Sequence, residues 1–298
     1  MQKITHEFVS ELLPKRPCDG HKGTFGHLFI IAGSPGFTGA PKLAAEGALR
    51  SGVGLVTLGL SSTLVPLVTP SLLETMWFSL DVTPEGAFAS NAVDAALDFA
   101  ADKQAVVLGP GMSQREDVCS FVMRFVRNCR VPLLIDADGL NCISRSPEVL
   151  QGLSICPCLT PHPGEMARLV GVSTGVVQKD RPGVASRFAI DFGCVVVLKG
   201  HETVVATPEG EVFKNPTGNS GMATGGTGDV LSGLIGGLMA QGLNSTYAAV
   251  VGTYLHGLAG DIAAETKTER GLIARDVIEA IPQAWGRLEN TLKTSEGN

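Results

Sequence analysis

Continuous apolar runs recur along the chain at residues 26–33, 53–58, 105–112, 131–135, 154–159 and 194–200, most of them closed by glycine, proline or an acid. A strand covered on both faces has no polar positions to spare, so such runs predict buried strands of a parallel sheet. A Gly/Pro turn at 34–39 and a small-residue helix at 40–51 join the first two, which makes residues 26–58 a βαβ unit. Short runs at 204–206 and 212–213 flank Pro208, Glu209 and Gly210 and predict a hairpin. Helical spacing takes over after residue 229, where Val230, Leu231, Leu234, Ile235, Leu238 and Met239 share one face. The opposite stripe, Ser232, Gly233, Gly236 and Gly237, is small. Each mid-helix glycine costs up to about 1 kcal/mol relative to alanine, so close packing against another backbone is expected there. Further helices are expected at 246–264 and 273–292, with a mostly helical crossover at 171–192 containing Gly175 and Pro182. Residues 1–21 read as a short helix and a Pro-containing connector. The pattern predicts the α/β class: a mostly parallel central sheet with helices on both faces. Residues 1–298 contain no repeat, low-complexity tract or linker and are expected to form one domain.

Composition narrows the partners. The chain has 298 residues, a net charge of −6 and only 5% aromatics, with no basic cluster, which argues against nucleic acid. Residues 230–260 lack Asp, Glu, Lys and Arg, but the polar stretch 241–245 divides them into pieces too short to span a bilayer, so no membrane partner is expected. The start lacks a basic region followed by an apolar core, so no signal peptide is read. Cysteines stand at 18, 119, 129, 142, 156, 158 and 194. Their odd number and the lack of any C-x-x-C pair predict buried reduced thiols, with neither a disulfide framework nor a zinc site, as in a reducing cytosol.

Chemistry gathers where apolar runs end. Residues 219–233 read N-S-G-M-A-T-G-G-T-G-D-V-L-S-G, with glycines at 225, 226 and 228 and one acid, Asp229, just before a helix. Glycine allows positive φ and close approach to a ligand, and the helix start turns unpaired N–H groups toward it: an anion hole. Asp229 could simply cap the helix. A carboxylate beside an anion hole does little for phosphate affinity, however, and suits proton transfer or the organising of a metal near the phosphate. Other run ends carry Asp136 and Asp138, of which alternation lets only one face a cleft; Asp136 is favoured, leaving Asp138 to cap the next helix. Pro163 suits a first helical turn and puts Glu165 there. Gly33, Gly36 and Gly39 have G-x-x-G-x-x-G spacing, which departs from the dinucleotide fingerprint.

The 219–233 segment resembles the anion-hole signature of the ribokinase-like superfamily, and its full form resembles the ADP-dependent NAD(P)H-hydrate dehydratases. The resemblance runs in order over most of residues 20–285. It implies a ribokinase-like fold and dehydration of the S form of hydrated NADH or NADPH at the expense of ADP, with Mg2+. In this reading Asp229 is the catalytic base and also touches substrate, together with Ala40, Gly111 and His162. Gly225, Gly226, Thr227 and Gly228 form the anion hole, while Lys199, Gly200, His201, Glu202, Thr203 and Gly228 bind the nucleotide. Glu165 is the candidate metal ligand; His162 with Glu165 gives H-x-x-E where the superfamily's kinases carry N-x-x-E. The resemblance further implies a cytoplasmic homotetramer, with epimerisation of the substrate left to a separate protein because no fused epimerase domain is read. Two rivals remain: a small-molecule kinase acting on a vitamin-precursor alcohol, and a non-catalytic nucleotide-binding regulatory module.

Overall fold

A computed structural model describes residues 1–13 and 16–295, with side chains to residue 289; Pro14, in the expected connector, lies outside the described residues. The strands are β1 (Gln2–Lys3), β2 (His27–Ile31), β3 (Leu55–Ser61), β4 (Met76–Leu80), β5 (Ala105–Leu108), β6 (Leu133–Ile135), β7 (Cys158–Leu159), β8 (Val195–Leu198), β9 (Val204–Ala206) and β10 (Val212–Lys214). They form one sheet in the order β1-β10-β9-β8-β7-β6-β5-β2-β3-β4. From β8 to β4 every pairing is parallel, while β9 is antiparallel to both β8 and β10.

Period-two alternation splits the interior strands between two cores. Leu28, Ile30, Val107, Leu134 and Val197 face one side, with the helices Gly39–Arg50, Thr227–Ala240 and Ser245–Gly271. Phe29, Ile31, Val106, Leu108 and Val196 face the other, with Glu116–Asn128 and Arg181–Phe192. The segment 230–260 is two buried helices, as expected, and no helix among the described residues is long and apolar enough to cross a membrane.

The small stripe on Thr227–Ala240 packs as its composition requires. A Cβ on Gly233 would run into the Ala44 carbonyl, and one on Gly47 into the Val230 carbonyl, so two backbones touch where these helices cross. Gly236 fits against Val107, and Gly237 against Ser51. This contact fixes the height of the glycine loop above the sheet.

Two strands and one covalent link fall outside the sequence reading. β1 is two residues paired with Phe213 and Lys214, within a stretch expected to be helix and connector. β4 is an edge strand whose Trp77 stays 54% exposed, so it has no continuous apolar run. Cys119 and Cys142 are disulfide-bonded, with Cα atoms 4.8 Å apart, which corrects the expectation of reduced thiols. Packing of the Glu116–Asn128 helix on the Asp138–Ile143 helix brings them together across 23 residues of sequence, and no local spacing announces it. Cys129, Cys158 and Cys194 are buried and free, whereas Cys18 and Cys156 are exposed.

Candidate active site

Because β8, β7, β6, β5 and β2 are adjacent and parallel, the residues after them line one edge of the sheet in that order: Lys199, Thr160 to His162, Asp136, Gly109 to Gly111, and the turn leading to Ala40. Above this edge the Thr227–Ala240 helix begins. Gly226 is left-handed (φ 93°) and immediately precedes the helix, whose first internal bond runs from Val230 N to the Gly226 carbonyl at 3.1 Å. The N–H groups of Thr227, Gly228 and Asp229 therefore have no partner inside the helix and point out of its positive end. Gly225 is exposed, and a Cβ there would meet nothing within 4 Å. The preceding loop is pinned by Asp261, which accepts from Gly218 N at 2.9 Å and Asn219 Nδ2 at 3.0 Å.

Lys199 connects the two halves of the site. A Cβ on Gly228 would lie 3.4 Å from its Nζ. The same ammonium donates to Asp136 Oδ1 at 2.8 Å and stands 3.8 Å from Glu165 Oε2. Asp136 is 1% exposed and accepts a second bond from Ser232 Oγ at 2.5 Å. Burial works against the Lys199 charge, but Asp136 and Glu165 outweigh it and raise the pKa above its ordinary value. Asp136 thus faces the cluster and holds Lys199. Asp138 lies in the first turn of the next helix and accepts from Ser113 N at 2.8 Å and Asn141 Nδ2 at 3.2 Å. Ala137, with φ 49°, separates the two acids.

Asp229, in the first turn beside Lys199, has the most informative environment. Burial, then repulsion from Asp136, pushes its pKa up to about 7, with Lys199 acting in the opposite sense. A carboxyl group poised there both holds and releases a proton near neutral pH.

Beside this cluster opens a cavity of about 460 Å3. It is lined by Lys199, Gly200, His201, Glu202, Thr203, Thr227 and Gly228, so the two segments read as nucleotide-binding meet around one space. Its remaining walls include Asn215, Thr217, Thr253, His256 and Gly257, which the sequence reading did not single out. Arg181 was also missed: it donates to the carbonyls of Leu198 (2.9 Å) and His201 and clamps the 199–203 loop from the crossover helix. Neither set has a local motif. They reach the cavity, or the loop that borders it, only through tertiary packing.

Of the expected substrate residues, Ala40 and Gly111 meet. A Cβ on Gly111 would come within 2.9 Å of both Ala40 Cβ and Phe37 Cβ, and Phe37 is exposed above them. His162 is elsewhere engaged. Its Nδ1 accepts from Gly164 N (3.0 Å) and Glu165 N (3.3 Å) while Glu165 Oε2 accepts from His162 N (2.7 Å), a capping box with histidine as the cap. Its Nε2 lies 3.4 Å from Glu165 Oε1. Glu165 Oε2 is therefore engaged twice, by the His162 N–H and by Lys199. No group of three or more His, Cys, Asp or Glu able to hold a metal exists among the described residues, and a lysine ammonium stands between Asp136 and Glu165.

The profile of the NAD(P)H-hydrate dehydratase family matches residues 28–283. The chain belongs to that family. Among the family's curated members, the bifunctional NAD(P)H-hydrate repair enzyme of Moorella thermoacetica is 41% identical over 291 residues, 98% of this chain and 55% of that protein. The chain spans about half the length of the first such relatives. The ADP-dependent (S)-NAD(P)H-hydrate dehydratase of Bacillus subtilis is 35% identical and is matched over 98% of its own length. The crystal structure of the Bacillus subtilis enzyme, co-crystallised with ATP/Mg2+, superposes with a TM-score of 0.80 at 33% identity, covering 96% of this chain and 98% of that one. A ribokinase-like superfamily protein from Enterococcus faecalis superposes with a TM-score of 0.82 at 25% identity, over 96% of each chain. The dehydratase family thus uses the ribokinase-like fold here.

Proposed function

We propose that this chain removes water from the S form of hydrated NADH or NADPH, using ADP, and so restores the reduced cofactor. The observation that carries this reading is Asp229: a carboxyl group with a pKa pushed up to about 7, set among first-turn N–H groups and beside Lys199. A pure binding module gains nothing from that acid, which supports a catalyst over a regulatory module. Family membership favours the dehydratase over the small-molecule kinase.

Hydroxide is a poor leaving group and phosphate a good one, which rationalises an elimination in a kinase-like site. ADP lies in the cavity between residues 199–203 and the glycine loop, its terminal phosphate on the N–H groups of Thr227 and Gly228 and on Lys199. Asp229 takes the proton of the substrate hydroxyl as that oxygen bonds to the β-phosphorus and the bond to the α-phosphate oxygen breaks, leaving AMP. The lone pair of the ring nitrogen then expels phosphate from the neighbouring carbon. Loss of a ring C–H proton completes the reduced nicotinamide. The net products are NAD(P)H, AMP, phosphate and one proton. Burial and the Lys199 charge hold the His162 pKa below its ordinary value, so its imidazole is neutral beside this chemistry. Its Nε2 is then the nitrogen left to meet substrate, with Ala40 and Gly111 flanking the nicotinamide ring. Because Glu165 is committed to Lys199 and the capping box, magnesium would be held chiefly by nucleotide phosphates and would serve to offset their charge.

A cytoplasmic homotetramer with a functional link to an epimerase completes the proposal; the bifunctional relatives support that link. The deciding experiment supplies hydrated NADH, ADP and magnesium and follows the absorbance of restored NADH. No return of absorbance, with ADP bound, sinks the dehydratase reading.

A further inference from the structure

The polar groups on much of the cavity wall satisfy one another. Asn215 Nδ2 donates to the Thr253 carbonyl at 3.0 Å, Thr217 Oγ1 to the Tyr254 carbonyl at 2.9 Å, Thr253 Oγ1 to the Ala249 carbonyl at 2.8 Å and Thr227 Oγ1 to the Met222 carbonyl at 2.9 Å. His256 breaks the pattern. It lines the cavity from the Ser245–Gly271 helix, is 8% exposed, and its Nε2 has no hydrogen-bond partner. The other buried side-chain atoms lacking a partner among the described residues, on Thr83, Ser113 and Arg181, belong to residues outside this lining. A buried polar atom is rarely left unpaired, and an orphan on a cavity wall marks where a ligand supplies the missing partner.

The sign of that partner follows from the ring. Burial holds the His256 pKa down to about 4, with the Thr227 backbone opposing and Lys199 reinforcing the shift, so the imidazole is neutral at pH 7. A backbone group that favours the charged ring is a carbonyl receiving a ring N–H. The unpartnered nitrogen is Nε2, and a neutral ring with its proton on Nδ1, the sense in which the Thr227 backbone acts, presents a lone pair there. A lone pair has nothing to offer ionised phosphate, which is itself only an acceptor and already has Lys199 and the helix start. The donors on an adenine nucleotide are the 6-amino group and the ribose hydroxyls.

We propose that His256 is a specificity-determining residue whose Nε2 accepts a hydrogen bond from the nucleoside part of the bound nucleotide. The proposal rests on the ADP reading of the same cavity. If the donor is the 6-amino group, a guanine or hypoxanthine base would set a carbonyl oxygen against the Nε2 lone pair and be rejected.

Calorimetry on the full chain tests this with ADP, IDP, 2′-deoxyADP and 3′-deoxyADP, against wild type and His256→Phe. Wild type should bind one analogue about tenfold more weakly than ADP, and His256→Phe should lose about tenfold for ADP while binding that analogue and ADP alike. Weakness toward IDP assigns the amine; weakness toward a deoxy analogue assigns the ribose. Wild type holding every analogue within twofold of ADP overturns the proposal, as does a folded His256→Phe that keeps wild-type discrimination. Should His256→Phe not fold, the wild-type panel decides, together with the 15N resonance of His256 Nε2, which must move on ADP addition. If wild type binds no ADP at all, the nucleotide reading of the cavity falls as well, a result distinct from the other two.

Discussion

Asp229 and Lys199 set opposite demands on the same few ångströms. Asp229→Asn keeps the shape of the side chain and removes the base, so turnover should fall at least about 100-fold while ADP titration stays near wild type. In wild type the base must be ionised, so kcat/KM should fall as pH drops through about 7. That acidic limb should vanish in the residual activity of the variant. Stability carries the same signature with a definite sign. Between its ordinary 3.8 and about 7, Asp229 binds a proton in the folded chain and not in the unfolded one. Its contribution to stability is therefore full below the lower value and is lost as pH rises through the upper one. Asp229→Asn should melt higher than wild type at pH 8, with the gap closing toward pH 5. Equal melting points at pH 8 would contradict the buried, repelled carboxylate. Lys199→Met should cost about 3 kcal/mol in urea unfolding, because it strands Asp136 at 1% exposure without its cation. Adding Asp136→Asn should recover part of that loss; no recovery would mean that the pair is not the source.

Among elements, the crossing of Gly39–Arg50 and Thr227–Ala240 decides the outcome of glycine substitutions that look alike in sequence. Helix propensity alone predicts that Gly233→Ala stabilises by up to about 1 kcal/mol. The Ala44 carbonyl occupies the space the methyl needs, and overpacking of about 1–3 kcal/mol should win. Gly225→Ala meets nothing within 4 Å, so its stability should stay within about 0.5 kcal/mol of wild type. Its ADP affinity should drop, since the methyl stands at the mouth of the proposed phosphate site. Urea unfolding and ADP titration on both variants check the contrast; a stabilised Gly233→Ala would refute the tight crossing. This scale also shows what sequence could and could not carry. β2, β5 and β8 were legible because burial on both faces leaves an unbroken apolar run. β4 was not, because an edge strand with exposed Met76 and Trp77 follows no such rule, and β1 is defined only by its partner. The glycine loop and Lys199 announced themselves through contiguous motifs. Asn215 and His256 did not, since they come to the cavity from a loop and a helix distant in sequence, and neither did Arg181, which holds the bordering loop from another helix. His162 shows the opposite failure: its place beside Glu165 was legible, but not that its Nδ1 is already committed to the helix cap.

At the scale of the molecule, the site has two ends along one sheet edge. The proposed nucleotide end is built by β8 and the two long buried helices, and the proposed nicotinamide end by the turns after β2 and β5. Ala40→Leu should therefore raise KM for the hydrated cofactor roughly tenfold or more and leave ADP affinity unchanged, because the added bulk projects where Ala40, Phe37 and Gly111 already touch. Steady-state kinetics with ADP titration and a melting curve separates this from misfolding. A folded variant with wild-type kinetics would place the substrate elsewhere.

The backbone-on-backbone crossing beneath the glycine loop also bears on how such a protein ages over generations. Drift in the two cores exchanges one apolar side chain for another and alters volume locally. The height of the glycine loop, though, is measured from main chain to main chain at Gly47 and Gly233, where no side chain intervenes. The chemistry is thereby insulated from most of the turnover in its own hydrophobic interior, and the cost of that insulation is concentrated on a few positions that cannot accept even a methyl group.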